Sequence, residues 1–259
     1  MKELFKNLYD YRQLLKSNVR KEIRGKYKGS FLGVLWSFVN PLLMTLVYAI
    51  VFPIIMRNDI PHYVTYLIVG IIPWTYFTTV IGQGTTTVLV NGGIIKKVYF
   101  PREILPISVN LSGVINFLIS CVVIACFLIF SGIGFSFNIL FLPLIVLTQF
   151  ILQQAIIFIT SAIDIYIRDA EYIINFFVSM LFYATPILYS PTLFVGTKLE
   201  FLMHINPMAV IITSYRDVFY YQQTPDLLSL CIVLVVSCVL CYIGWRIFKR
   251  LERGFAEEV

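Results

Sequence analysis

Charge is scarce in this sequence. Charged residues make up 13% of 259 positions, against roughly 25% in soluble globular domains. Hydrophobic residues make up 59% and the mean hydropathy is +0.84. Such a chain cannot cover a globule with charge. That excludes an ordinary water-soluble enzyme, a disordered protein and a disulfide-stapled secreted domain. Histidine occurs only at His62 and His204, with no H-E-x-x-H, so no zinc-hydrolase pattern is present. There is no G-x-x-x-x-G-K-[ST]; Gly25-Lys26 lacks both the upstream glycine and the following hydroxyl. No G-x-S-x-G occurs either. The centres of the apolar stretches hold no carboxylate, which a proton-coupled carrier would need; Asp164, at the inner end of the fourth stretch, is nearest. The deep polar residues are amides and hydroxyls, such as Asn40, Asn110, Asn116, Gln149, Gln153 and Asn175, whose default role is hydrogen bonding between helices. The chain therefore holds neither an energy source nor a catalytic constellation. The five cysteines all fall in apolar runs, and Cys238-x-x-Cys241 reads as two small apolar residues one turn apart on a lipid-embedded helix.

What is present is a series of stretches free of Asp, Glu, Lys and Arg: 29–56, 60–95, 104–130, 135–163, 172–197 and 227–245. A membrane-crossing helix needs about 20 apolar residues. Each stretch is long enough to cross once and too short to cross twice comfortably. With turn residues used to trim them, the spans are 31–56, 62–82, 104–130, 136–163, 172–190 and 227–247. Gly82, Gly84, Gly92 and Gly93 predict that the second ends near residue 82; Ser131-Gly132 and Gly134 predict a tight turn. Lys and Arg set the orientation: seventeen fall in segments on the N-terminal side of the membrane, whereas Arg57, Lys198 and Arg216 face the other way. Both termini are then cytoplasmic. The apolar core starts near residue 30, too late and too long for a cleavable signal peptide.

Five segments are not simple spans. Leu4, Leu8, Tyr11, Leu15 and Val19 recur at helical spacing among basic residues, so 3–24 reads as an interfacial amphipathic helix or as a basic topogenic tail. Gly25, Gly29 and Gly33 form either a close-packing stripe or a flexible elbow. The basic loop from Gly92 to Pro106 keeps Ile94, Ile95, Val98, Tyr99 and Phe100 outside the membrane, which suggests a docking element for a soluble partner or an interfacial loop. Asp164 to Glu171 is a second contact or a solvated turn. Ser190 to Asp226 is the longest outer segment, and two short helices dipping into the outer leaflet fit 199–221. Aromatics reach 16%. Phe31, Phe38 and Phe52 repeat by sevens, as do Phe176 with Tyr183 and Phe182 with Tyr189. These stripes are core, lipid-facing, or a slide for the apolar faces of sugar rings.

The run Arg24-Gly-Lys-Tyr-Lys-Gly-Ser-Phe-Leu-Gly-Val-Leu-Trp-Ser-Phe-Val-Asn-Pro41 resembles the start of the first span in type-2 ABC exporters of lipid-linked polysaccharides. These are the membrane subunits of O-antigen, teichoic-acid and capsule exporters. Lys96-Lys-Val-Tyr-Phe-Pro-Arg-Glu-Ile-Leu-Pro106 is similar to their inner loop, and Ile205-Asn-Pro-Met208 and the tail Phe248–Ala256 also match.

The resemblance implies one all-α ABC-2 type transmembrane domain over 1–259. It would have six spans, an N-terminal interface helix and short outer re-entrant gate helices. Two copies would form a homodimeric channel for an O-antigen-like polymer, driven by two separate cytoplasmic ATPase subunits. ATP and Mg would sit on those partners; no cofactor or metal and no catalytic role is expected of this chain. ATPase coupling would fall to Arg20, Glu22, Arg24, Lys96, Lys97, Tyr99, Pro101, Arg102, Glu103, Arg168 and Asp169. The channel would use Trp36, Phe38, Tyr48, Phe52, Phe182, Tyr183 and Tyr189, and the outer gate Asn206, Pro207, Arg216 and Asp217. A drug or lipid exporter of the same fold, an ion-coupled carrier and a non-transporting scaffold are the competing readings.

Overall fold

The computed structural model describes residues 2–27, 31, 33–56, 60–194, 196–197 and 200–258, and every regular element among them is helical. Gly29 of the glycine trio, and Arg57 and Lys198 of the charge count, lie outside the described residues. Two amphipathic helices, Lys2–Asp10 (α1) and Arg12–Tyr27 (α2), are separated by a turn at Tyr11. Apolar helices Trp36–Met56 (α3) and Tyr63–Val90 (α4) follow, then a single turn of helix, Gly92–Ile95 (α5). The chain continues through Ile104–Phe130 (α6), Leu142–Ile163 (α7) and Ala170–Tyr183 (α8). Phe201–Ile205 (α9), Pro207–Phe219 (α10), Leu227–Leu251 (α11) and Phe255–Glu258 (α12) complete it.

Among the described residues, four helices are long and apolar enough to cross a bilayer: α4, α6, α7 with the turn before it, and α11. Shorter apolar runs lie on α3, at Phe38–Phe52, and on α8. Local chemistry sets several ends. Asn206 caps α10 by accepting from Met208 N at 3.0 Å, with Pro207 as the first helical residue. Asp226 caps α11, accepting from Leu228 N at 3.1 Å and Ser229 N at 3.2 Å. The hydrogen bonds from Ser229, side chain and backbone, hold the Asp226 carboxyl below its usual pKa.

Two boundaries differ from the sequence reading. The second apolar helix does not stop near residue 82 but runs on to Val90. Its glycines are contact points rather than breaks: a Cβ at Gly84 would stand 2.6 Å from Ile157 Cγ2 of α7. On the facing side, a Cβ at Gly113 of α6 would collide with Val80 and Tyr76 of α4. Small residues let neighbouring backbones approach, which is how helices associate where no hydrophobic drive separates lipid from side chain. The fifth apolar stretch is a helix only to Tyr183, 14 residues long, or about 21 Å at 1.5 Å per residue. Tyr189 therefore leaves the helical register that the spacing from Phe182 suggested.

α4 is the central post. Of its most apolar stretch 78% is buried inside the chain, against 22% for α11. It packs on α3, α6, α7, α8 and α10. The main core gathers residues from Leu67 to Ile81 of α4 with Phe117, Ile145, Ile157, Ile211 and Tyr215. A second, smaller core at the other end joins Leu4, Val88, Ile95, Phe100, Phe158, Trp245, Phe248 and Phe255.

Polar side chains set the register of α4, α6, α7 and α10. Tyr76 Oη donates to Asn110 Oδ1 at 3.1 Å, and Asn110 Nδ2 donates to Gln154 Oε1 at 3.0 Å. Gln149 Nε2 donates to Pro73 O at 2.9 Å, and Gln149 Oε1 accepts from Tyr215 Oη at 2.9 Å. Where lipid replaces water, such groups must be satisfied by protein. The packing at Gly84 yields a prediction. Gly84→Leu forces a side chain into Ile157 and costs about 1–3 kcal/mol or more through overpacking; fluorescence-detected gel filtration after heating should show a lower melting temperature, and an unchanged one would refute tight α4–α7 contact.

Candidate functional site

At the inner end, four segments meet: α1 with α2, the loop 92–103, the turn between α7 and α8, and the tail after α11. The apolar stripe of the N-terminal helices does not face lipid alone. Leu4 is buried in the smaller core, and Leu8, Tyr11, Leu14 and Leu15 pack against it. Lys21 Nζ donates to Asn91 Oδ1 at 2.8 Å, which ties α2 to the start of the loop. On α2, Arg20 and Arg24 are exposed and Glu22 is half-buried. Burial raises the Glu22 pKa, opposed by the neighbouring Lys21.

The loop divides its apolar residues between two tasks. Ile95 and Phe100 are buried and anchor it to the smaller core. Ile94, Val98 and Tyr99 project outward with Lys96 and Lys97, and Tyr99 is 89% exposed. A surface of that composition, held by buried anchors at both ends, suits contact with another protein.

Glu103 stands apart from the other coupling candidates. It is fully buried, accepting from Asn7 Nδ2 at 2.9 Å and pairing with Lys249 Nζ at 2.7 Å. Lys249 also pairs with Glu252 at 3.0 Å, and Arg102 donates to Glu252 through both its backbone N–H and its guanidinium. Glu103 thus joins α1, the loop and α11, and has no free oxygen to offer a partner. Within the chain it positions the loop. Pro101 and Arg102 are half-buried beside it.

Arg168 and Asp169 are exposed in the turn before α8. Next to them, Tyr166 Oη donates to Leu251 O at 2.9 Å and its ring meets Phe255 at 6.4 Å. Phe255 is fully buried, edge-on to Phe248 at 5.3 Å, with the Arg102 guanidinium 6.0 Å from its ring. Asp164 is almost fully buried at the end of α7, and its carboxyl is raised by burial and then by Glu171. Asn7, Lys249, Glu252 and Phe255 were not candidates from sequence; the Phe248–Phe255 spacing in a charged tail was the signal available.

The aromatic candidates fall into three groups. Tyr48 of α3 stacks on Phe182 of α8 at 5.8 Å, with Phe52 edge-on to Tyr48 at 5.7 Å. Phe182 in turn meets Trp74 at 5.7 Å and Tyr183 at 5.3 Å. Phe38, Tyr48, Phe52 and Phe182 are half-buried against the main core, whereas Tyr183 is 69% exposed. Trp36 lies elsewhere, on a cavity of about 550 Å³ between α3, α4 and α6 that also exposes Asn40, Thr79, Gln83 and Asn116. Tyr189 is buried within the chain and donates to Tyr183 O at 2.7 Å.

The outer candidates are built around Arg216. It is fully buried, donating to Pro186 O and, at 2.6 Å, to Ile187 O. Its guanidinium lies 3.6 Å from the centre of the Tyr66 ring. A Cβ at Gly70 would stand 2.9 Å from Arg216 Nη2, so that glycine makes the room. Tyr63 and Tyr66 donate to Leu188 O and Tyr189 O, both at 2.7 Å. Asn206 Nδ2 reaches Thr185 Oγ1 at 2.9 Å, and Asp217 accepts from Gln223 at 2.7 Å. Arg216 and Asn206 thereby pin the 184–189 crossing to α4 and α10. Arg216 is a strut of this region, its guanidinium enclosed by the chain.

Known proteins are similar to this sequence over most or all of its length. Residues 13–220 match the ABC-2 type transporter family. A Myxococcus xanthus protein named O-antigen export system permease protein RfbA is 34% identical over 260 residues, covering 100% of both chains. Two Klebsiella pneumoniae proteins of the same name are 34% and 33% identical over 238 residues, 92% of this chain and 91% of theirs. The chain therefore belongs to the ABC-2 type transporter family, whose membrane subunits work with an ATPase subunit.

Proposed function

We propose that this chain is the membrane subunit of an ATP-driven exporter that carries a lipid-linked polysaccharide of the O-antigen kind across the bacterial inner membrane. The observation that carries the reading is the end-to-end similarity to permeases named for O-antigen export. Two copies form the channel, six spans each, with both termini in the cytoplasm and 199–221 as outer gate helices. Two ATPase subunits bind ATP and Mg below them, and no cofactor sits on this chain.

Each step follows from residues already placed. The ATPase subunits dock on Ile94, Lys96, Lys97, Val98 and Tyr99, with Arg20, Arg24, Arg168 and Asp169 at the edges. Their closure pushes the loop, and Glu103 passes that push to α1 and α11 because one buried carboxylate holds both. Packed helices respond to such a push by shifting as bodies rather than by bending. In the channel, Tyr48, Phe52, Phe182 and Tyr183 offer flat apolar faces to sugar rings without charge that would hold the polymer in place.

Tyr99→Ala should cut co-purification of the ATPase subunit, or its stimulated hydrolysis, with the melting temperature of the membrane subunit unchanged. Glu103→Ala should instead lower that melting temperature, because Asn7 loses its acceptor and Lys249 keeps only Glu252. Equal behaviour of the two variants would refute the division between docking and positioning. Tyr48→Ala with Phe182→Ala should reduce surface polysaccharide while complex assembly persists; full export would exclude stacking. In a cysteine-free background, Lys97→Cys and Thr197→Cys should react with an impermeant maleimide from opposite sides, and labelling from one side would overturn the topology.

A further inference from the structure

Between α1, the loop and the last turns of α11 lies a groove of about 1100 Å³. One wall is α1 with Tyr11, another is Tyr99 and Arg102, and the third is the face of α11 that carries Tyr242, Arg246, Arg250 and Arg253. Those four residues fall three or four apart, so they form one stripe on the helix. Above them the stripe is aliphatic: Val235 and Val239 are exposed, as are Tyr242 and Ile243. Within two turns the same face passes from hydrocarbon to aromatic to cationic. That order is the order of a membrane lipid from acyl chain through glycerol to phosphate.

Two further observations point to an anionic occupant. Arg246, Arg250 and Arg253 are exposed, and among the described residues only Lys249 of the α11 cations has a carboxylate within ion-pair distance. Trp245 also lines the groove; it is 6% exposed, and its indole N–H has no acceptor among the described groups. A buried N–H without a partner is costly unless a ligand supplies the oxygen. Guanidinium groups are suited to phosphate because they donate two parallel hydrogen bonds to it.

We propose that this groove binds the phosphate headgroup of an anionic membrane lipid, with Arg246 and Arg250 on the phosphate, Trp245 donating its N–H, and the acyl chains along the Val235–Ile243 face of α11. The Glu103–Lys249 pair lies beside the groove, so an occupied site would brace the junction between loop, α1 and α11. The site lies on one chain and needs no polysaccharide, so it stands or falls separately from the export reading.

The test is lipid binding to the purified full-length chain, alone and with its ATPase subunit, read as the shift in melting temperature against lipid concentration. Phosphatidylglycerol should stabilise the protein saturably, and phosphatidylcholine should not. The double variant Arg246→Gln, Arg250→Gln should raise the half-saturating concentration roughly thirtyfold while keeping the wild-type melting temperature in phosphatidylcholine. Trp245→Phe should give a smaller increase. A polyprenyl phosphate that competes with phosphatidylglycerol supports the same headgroup chemistry, and the lower half-saturating concentration of the two names the natural source. Inorganic phosphate that protects as well as either lipid would overturn the proposal, as would equal response to the two phospholipids. An arginine double variant that binds lipid normally but loses its ATPase subunit would overturn it in favour of a protein contact.

Discussion

A polar group removed from water must find its counterpart inside the protein, and this constraint organises the whole bundle. It acts most strongly on two charges at opposite ends. Glu103 is fully buried at one end and Arg216 at the other. An uncompensated charge in such surroundings would cost several kcal/mol. Each is therefore surrounded by groups drawn from distant parts of the chain: Asn7 and Lys249 for Glu103, and the carbonyls of 186–187 with the Tyr66 ring for Arg216. Between the ends, amides do the same work without charge. Asn110 and Gln149 link α4, α6, α7 and α10 at defined heights, where lipid and side chains would otherwise be equally good company for any apolar surface.

This arrangement braces the end of the bundle that carries the loop 92–103. A loop that only displayed apolar residues would bend when pushed. Here Ile95 and Phe100 are seated in a core, and the residue that ends the loop is a carboxylate shared by two other helices. The tail closes the unit from below, with Phe255 between Phe248 and Tyr166 and Glu252 holding Arg102. Tyr99 is joined to α11 through a short series of buried contacts. The outer end is built in the same way: Arg216 stitches an irregular crossing whose own backbone has few internal bonds.

Much of this was legible in the sequence because hydropathy and charge are local properties. The apolar stretches, the amphipathic N-terminus and the exposed apolar loop each follow from a window of residues. Glycines were misread where the same local rule was applied. Gly84 sits in a helix-breaking context by composition, yet it lies in the middle of α4, because the gain comes from Ile157 on another helix. The aromatic stripes show both outcomes. Tyr48 and Phe182 meet across two helices. Tyr189, seven residues after Phe182, lies past the helix end and turns inward, since periodicity has meaning only while the helix lasts.

The sequence by itself determined that this is an all-helical membrane protein, because a chain with so little charge has no other stable surroundings. It also marked the loop whose apolar residues are exposed, since apolar residues flanked by lysines stand out in any window. Only the tertiary structure decided which charged residues are surface and which are struts. Glu103 and Arg102 are neighbours in sequence, as are Arg216 and Asp217, and nothing local separates their roles. Burial is set by what packs against a residue from elsewhere in the chain, and those partners lie up to 150 residues away.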